Sequence, residues 1–212
     1  MTAADKTPSS IAADEQFSPR DVLHWYDFLC PFCYVGQGRN EIFERHGFRV
    51  IDMPFEAHPD IPAAGRSMSP RSGPMYDDLE AEARAEDLPL IWPARLPNTR
   101  MALAAVEWTR RHAPQAFPVF EKALFAAHFA LGEDLGDRET IMRHAADSGV
   151  DTKAMAVALD DGTGYRLVDR SEALARGAGV RGTPAWFVPG RLITGLYPKE
   201  QFERLARTLA TT

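Results

Sequence analysis

From Asp21 onward the chain switches between two apolar spacings, and the switches define its elements. Residues 21–28 (DVLHWYDF) are β-branched, aromatic and apolar, too few for a free-standing helix and halted by Pro31, which predicts a buried strand. Pro31 suits the first position of a helix, where its missing N–H has no partner in any case, and Ile42, Phe43 and His46 carry a helical period to Gly47. Alternation returns over 48–55 (FRVIDMPF) and closes at Pro54 and Pro59, giving a second strand. Strand, helix, strand in this order indicates parallel α/β architecture. A Pro/Gly/Ser-rich passage over 58–74 follows, and then helical spacing over 75–87, 98–112, 115–131 and 138–148, four helices that read as an inserted subdomain. Phe117, Phe120, Phe125 and Phe129 share one helical stripe and read as core. Shorter helices are predicted over 151–159 and 165–178, the second ended by Gly177 and Gly179 as left-handed caps. Two strands, 185–188 and 192–194, flank the turn Pro189-Gly190, and an amphipathic helix over 198–209 closes the pattern.

Composition narrows the function classes. Of 212 residues 45% are apolar and 25% charged, enough to bury roughly 70% of the unfolded surface in a proper core. The formal charge is −6, and no basic cluster is longer than Arg110-Arg111, so nucleic acid and anionic membrane surfaces are excluded as partners. The longest apolar run, Met101 to Val106, falls far short of the ~20 residues of a membrane-spanning helix. The first twenty residues are rich in Ala, Ser, Pro and Asp with no apolar h-region, which predicts a flexible arm over 1–20 and a cytoplasmic protein.

Candidate chemistry rests on two cysteines, Cys30 and Cys33. A single pair three residues apart is not a secreted disulfide scaffold. At a helix start, free N–H groups and the positive end of the macrodipole favour a thiolate, so Cys30 is the expected nucleophile and Cys33 its resolving partner. Cys30 would attack a foreign disulfide and Cys33 would then release the captured thiol. A zinc half-site completed by His24, His46 or His58, or an inert pair, are the alternatives; neither a second Cys-x-x-Cys nor a close His pair is present, and no metal is expected. His112, His128 and His144 lie on separate predicted helices and read as solvated or core residues.

The segment DFLCPFCYVG, between a strand and a helix, resembles the thioredoxin-fold DsbA family, within it the FrnE-like branch related to 2-hydroxychromene-2-carboxylate isomerases. Leu96 to Arg100 (LPNTR), Gly182-Thr183-Pro184 and Thr194-Gly195 extend the resemblance across 22–209. It implies an α/β thioredoxin fold interrupted by an all-helical insertion, with 21–65 and 160–212 forming the thioredoxin-like part and 66–159 the insertion. It further implies a cis Pro184 beside the cysteines, with the Thr183 backbone free to pair with substrate, and Asn98 as a binding residue from the insertion, a helix-capping role being the other reading of Asn98. Phe32, between the cysteines, is expected as an apolar lip; Trp25 and Trp186 join it or fill the sheet. The buried carboxylate that thioredoxins carry six residues before the first cysteine is replaced by His24, with Asp27 three before. His24 is therefore a candidate proton relay for Cys33. The expected activity is dithiol-disulfide reduction or isomerisation on a disulfide-containing protein or a small thiol, with no tightly bound cofactor and glutathione as a co-substrate. The alternative is a glutathione-dependent isomerase or transferase acting on a small aromatic or polyketide-like compound.

Overall fold

The computed structural model describes residues 17–211, so most of the arm expected over 1–20 lies outside the described residues. Its centre is a four-stranded sheet in the order β2-β1-β5-β6, built from β1 (Asp21–Tyr26), β2 (Arg49–Pro54), β5 (Ala185–Val188) and β6 (Arg191–Thr194). β1 runs parallel to β2, with Asp21 opposite Arg49, and antiparallel to β5, with His24 opposite Trp186. β5 and β6 form the hairpin predicted around Pro189-Gly190, Gly190 adopting a φ of 80°. This order and these directions are the thioredoxin topology that the resemblance anticipates.

Strand alternation sorts the sheet residues onto two faces. Val22, Trp186 and Val188 pack with Ile42 and Phe43 of α2 (Gly38–Arg45) and with Phe202 of α9 (Lys199–Ala210). Leu23, Trp25 and Ala185 pack with Leu174 and Ala175 of α8 (Thr163–Gly177). Both tryptophans are fully buried, so they fill the sheet and do not line an active-site mouth. The helices between the two halves of the sheet are α3 (Pro74–Ala85), α4 (Arg100–His112), α5 (Phe117–Phe129), α6 (Arg138–Asp147) and α7 (Thr152–Asp160). The four phenylalanines of the predicted stripe lie in their core, which reaches Tyr26, Phe28 and Cys33 at the end of β1. Asp137 and Asp151 start α6 and α7 by accepting hydrogen bonds from backbone N–H groups of the first turn.

Three local expectations are corrected. The single helix predicted from Pro31 to Gly47 is two, α1 (Pro31–Val35) and α2, because the chain turns at Gly36. A Cβ there would stand 2.6 Å from the Phe32 carbonyl oxygen and 3.0 Å from Leu196 Cδ1, so only glycine admits the chain's return past α1. The Pro/Gly/Ser-rich passage is not wholly loop: β3 (Arg66–Ser67) pairs with β4 (Arg95–Leu96) as a short antiparallel ribbon. Gly177 is the last residue of α8, and of the two glycines only Gly179 is left-handed, with a φ of 85°.

Candidate active site

β1 delivers the chain into the site, and the turn after it sets the first sulfur. Cys30 is the N-cap of α1, with φ −82° and ψ 108°. Its amide donates to the Asp27 carbonyl at 3.0 Å, and its own carbonyl accepts from the amides of Cys33 at 3.0 Å and Tyr34 at 3.1 Å. Pro31 begins the helix as predicted. Both cysteines are free thiols; Cys30 is partly exposed while Cys33 is only 1% exposed.

Across the sheet, the loop before β5 closes over Cys30. The Cys30 Sγ–H donates to the Thr183 carbonyl at 3.3 Å, a contact between residues 153 apart in sequence, and the Thr183–Pro184 peptide is cis. Cys30, Cys33, Thr183 and Pro184 are thus brought together. A five-residue helix has a short macrodipole, so local donors matter more to the sulfur than the helix expected at the sequence level. Burial pushes the Cys30 thiol up, but hydrogen bonds from Cys33 and the Thr183 side chain outweigh it and hold Cys30 below the ordinary thiol range. Cys33 goes the other way: burial, reinforced by its hydrogen bond to Cys30, holds it well above. Cys30 gives up its proton more readily than Cys33, a division that suits nucleophile and resolving partner.

Beneath them lies Asp27, fully buried. One carboxyl oxygen accepts from the Leu29 amide at 3.1 Å and the Thr99 hydroxyl at 2.9 Å, and the other from the Ala57 amide at 2.8 Å. Burial holds this carboxyl above its ordinary range against those donors, and its charge in turn pushes the Cys30 thiol up. Asp27 is therefore a carboxyl that changes protonation next to the dithiol.

His24 is positioned differently. Its Nδ1 lies 2.5 Å from Asp52 Oδ1 and 3.0 Å from Asn40 Nδ2, and its ring stacks on Trp186 with centroids 4.6 Å apart. Asn40 also accepts from Trp186 Nε1 at 2.8 Å, closing a polar cluster under α2. His24 makes no hydrogen bond to either sulfur among the described residues. Asn98 does not line the cleft at Cys30. Its Nδ2 donates to the Ile61 carbonyl at 2.7 Å and its Oδ1 accepts from the Arg100 amide at 3.0 Å, so it ties a loop to the start of α4, whose N-cap is Thr99. Of the remaining histidines, His112 stacks on Trp108, His144 binds Glu133, and His128 is buried with both ring nitrogens unpartnered.

A cleft of about 560 Å³ opens on Cys30, with Leu29, Pro31, Phe32, Ile61, Met75 and Tyr76 among its walls. Phe32 is partly exposed at its edge and also borders a second cavity, toward Glu82, Glu86 and Lys199. The sequence reading missed Thr99 and the cleft's arginines, Arg66 and Arg71 from the passage after β2 and Arg181 from the loop before β5, and weighed His58 only as a zinc ligand. Asp27 it noted only by position.

Two free cysteines at the end of a central strand of a thioredoxin-like sheet, beside the Thr183 loop, point to the class of thioredoxin-fold oxidoreductases and isomerases. Residues 21–207 match the DSBA-like thioredoxin domain, and the chain belongs to that family. It is 26% identical over 178 residues to the 2-hydroxychromene-2-carboxylate isomerase of Sphingobium xenophagum, covering 81% of this chain and 90% of the relative. Among solved structures it resembles a probable DsbA oxidoreductase from Streptomyces coelicolor, with TM-score 0.76, 22% identity and 89% of each chain covered. It also resembles the cytosolic disulfide reductase DsbM of Pseudomonas aeruginosa, solved with GSH, with TM-score 0.64, 14% identity, and 91% of this chain and 100% of that one covered.

Proposed function

We propose that the protein is a cytoplasmic thiol-disulfide oxidoreductase, acting as reductase or isomerase through Cys30 and Cys33. The observation that carries the reading is the unequal pair of sulfurs: Cys30 at the cleft, lowered and hydrogen-bonded at Thr183, and Cys33 buried behind it and raised. The Cys30 thiolate attacks a substrate disulfide and displaces one thiolate. Asp27, ionised, takes up the proton of Cys33, and the Cys33 thiolate then attacks Cys30 Sγ and frees the second substrate thiol. Thr183 and Pro184 align the substrate backbone, and Phe32 gives it an apolar edge. In the cytosol the glutathione poise keeps such a pair largely reduced, which favours reduction and isomerisation over net oxidation, with glutathione as co-substrate. A disulfide-containing protein or a small-molecule thiol is the partner. Insulin-disulfide reduction tests this: activity lost in Cys30→Ser, with a mixed disulfide accumulating in Cys33→Ser, is expected. Wild-type protein that leaves insulin and small disulfides intact refutes it.

Identity to the isomerase of S. xenophagum over most of both chains supports a second reading, glutathione-dependent isomerisation of a small aromatic compound. Saturable glutathione binding with isomerase activity that survives Cys33→Ser would favour it over dithiol exchange.

A further inference from the structure

The charge lining the cleft at Cys30 runs against the charge of the chain. The protein carries 30 acidic against 24 basic residues, yet every charged or titratable side chain lining this cleft other than Cys30 and Tyr76 is basic or a histidine: Arg66, Arg71, Arg181 and His58. Arg66 is neutralised by Asp60, which lies 2.8 Å from it outside the cleft. The other two arginines have no carboxylate partner among the described residues. Arg71 is partly buried with its guanidinium over the Trp92 ring, 5.1 Å from the centroid, a contact that fixes the group without cancelling its charge. Arg181 is exposed, two residues before Thr183, on the loop whose carbonyl meets the Cys30 sulfur. Two guanidiniums without a carboxylate partner among the described residues, lining the same small-molecule-sized cavity as the Cys30 sulfur, form a recognition pattern for carboxylates, which arginine binds through paired N–H donors.

We infer that the preferred substrate is a small disulfide whose two halves carry carboxylates, held by Arg71 and Arg181 while its sulfurs meet Cys30. This rests on the dithiol reading above and names the substrate class of the same site. The bonds balance with the protein as sole reductant. The Cys30 thiolate forms Cys30–S–S–R and expels RS⁻. Cys33, after losing its proton, forms the Cys30–Cys33 disulfide and expels the second RS⁻. Two electrons pass from the dithiol to the substrate disulfide, and the two protons released by the cysteines are available to the departing thiolates. The second cavity bordered by Phe32 sets Asp78, Glu82, Glu86 and Glu200 against Arg39 and Lys199, which pair with Glu82 and Glu86, so its net charge is negative and an anionic substrate is drawn to the first cavity.

Single-turnover reaction of the reduced protein with three disulfides of similar length tests this. Dithiodipropionate is dianionic, hydroxyethyl disulfide neutral and cystamine dicationic, and the loss of protein thiols is followed by mass spectrometry. At low salt the dianion is expected to outpace the dication by about tenfold or more, with the neutral compound between, and added salt should compress the series. The readout is the dianion-to-dication ratio within each variant. It should fall toward one in Arg181→Gln and further in Arg71→Gln/Arg181→Gln, and stay as in the wild type in Arg207→Gln, a matched charge change on α9 outside the cleft. Arg181 is exposed and has no carboxylate partner among the described residues, so its single variant keeps the test meaningful should the Arg71 change disturb folding. A wild-type ratio near one, or a ratio unmoved by Arg181→Gln, overturns the inference while leaving the dithiol reading standing. A glutamate-flanked peptide disulfide that clearly outpaces the small dianion overturns the small-molecule assignment. Failure of all three small disulfides overturns the dithiol reading, and this inference with it.

Discussion

Replacing Asp27 with alanine tests the view that a buried carboxyl organises the floor of the site. The substitution is best made in a Cys30→Ser/Cys33→Ser background, where no thiol titrates. It removes the acceptor of the Leu29 and Ala57 amides and of the Thr99 hydroxyl. Each backbone amide left unpaired in a buried place costs about 1–3 kcal/mol, while the Thr99 hydroxyl can rotate toward another acceptor. The expected loss is therefore about 2–6 kcal/mol where Asp27 is neutral in the parent. The pH dependence supplies the sharper test. Burial holds the folded carboxyl above its ordinary range, so between the unfolded titration and the raised folded one the native state binds more protons than the unfolded state. In that window the parent loses about 1.4 kcal/mol of stability per pH unit as pH rises, a slope the alanine variant lacks. The gap between the two proteins must then be widest in acid and narrow toward neutral pH. Urea unfolding followed by tryptophan fluorescence between about pH 4 and 8 measures it. A gap that is constant, or that widens as pH rises, refutes the reasoning.

Other outcomes follow from the same geometry. Iodoacetamide should modify Cys30 at pH values below those an ordinary thiol requires and leave Cys33 untouched, as peptide mapping after timed quenching will reveal. Thr183→Val removes a side-chain hydrogen bond that favours the Cys30 thiolate, so the thiolate absorbance of Cys30 should titrate at higher pH. His24→Ala should leave the pH profile of thiol exchange in place while lowering the urea midpoint by about 2–4 kcal/mol equivalent, because it empties a stacking site on Trp186. His128, held down to about 4 by burial, resists protonation in the folded state. Its titration leaves stability untouched above the unfolded value and lowers it as pH falls toward 4, by roughly 3 kcal/mol in all, so His128→Leu should flatten the acid limb of the stability curve.

The sheet and most helices were legible because each has its own punctuation. β1 is a dense apolar run stopped before Pro31, and the hairpin of β5 and β6 is announced by Pro189-Gly190. The dithiol was legible for the same reason, being a local motif at a strand-to-helix junction. What was not legible depends on distant chain. The break between α1 and α2 falls at Gly36, crowded both by the Phe32 carbonyl and by distant Leu196, and the pairing of β3 with β4 joins segments nearly thirty residues apart that are too short to show a period. His24 drew attention by its offset from Cys30, yet on β1 its side chain shares the face of Val22, toward α2, where Asn40 and Asp52 receive it. Asp27, three residues before Cys30, takes the buried place beside the sulfurs, and nothing in its immediate neighbours foretells that Thr99 and Ala57 will hold it. The cleft arginines were invisible for a similar reason: 181 joins 66 and 71 only once the two halves of the sheet meet.

The contact between Cys30 and Thr183 also orders events on the ribosome. Both sulfurs are synthesised ahead of the loop that tunes the first of them, which follows some 150 residues later. A nascent chain arrested before residue 183 thus presents two cysteines with unremarkable reactivity, and arrested chains of increasing length should gain their fast-alkylating thiol in one step, when β5 joins β1. Translation itself delays the chemistry until the enclosure around it is complete.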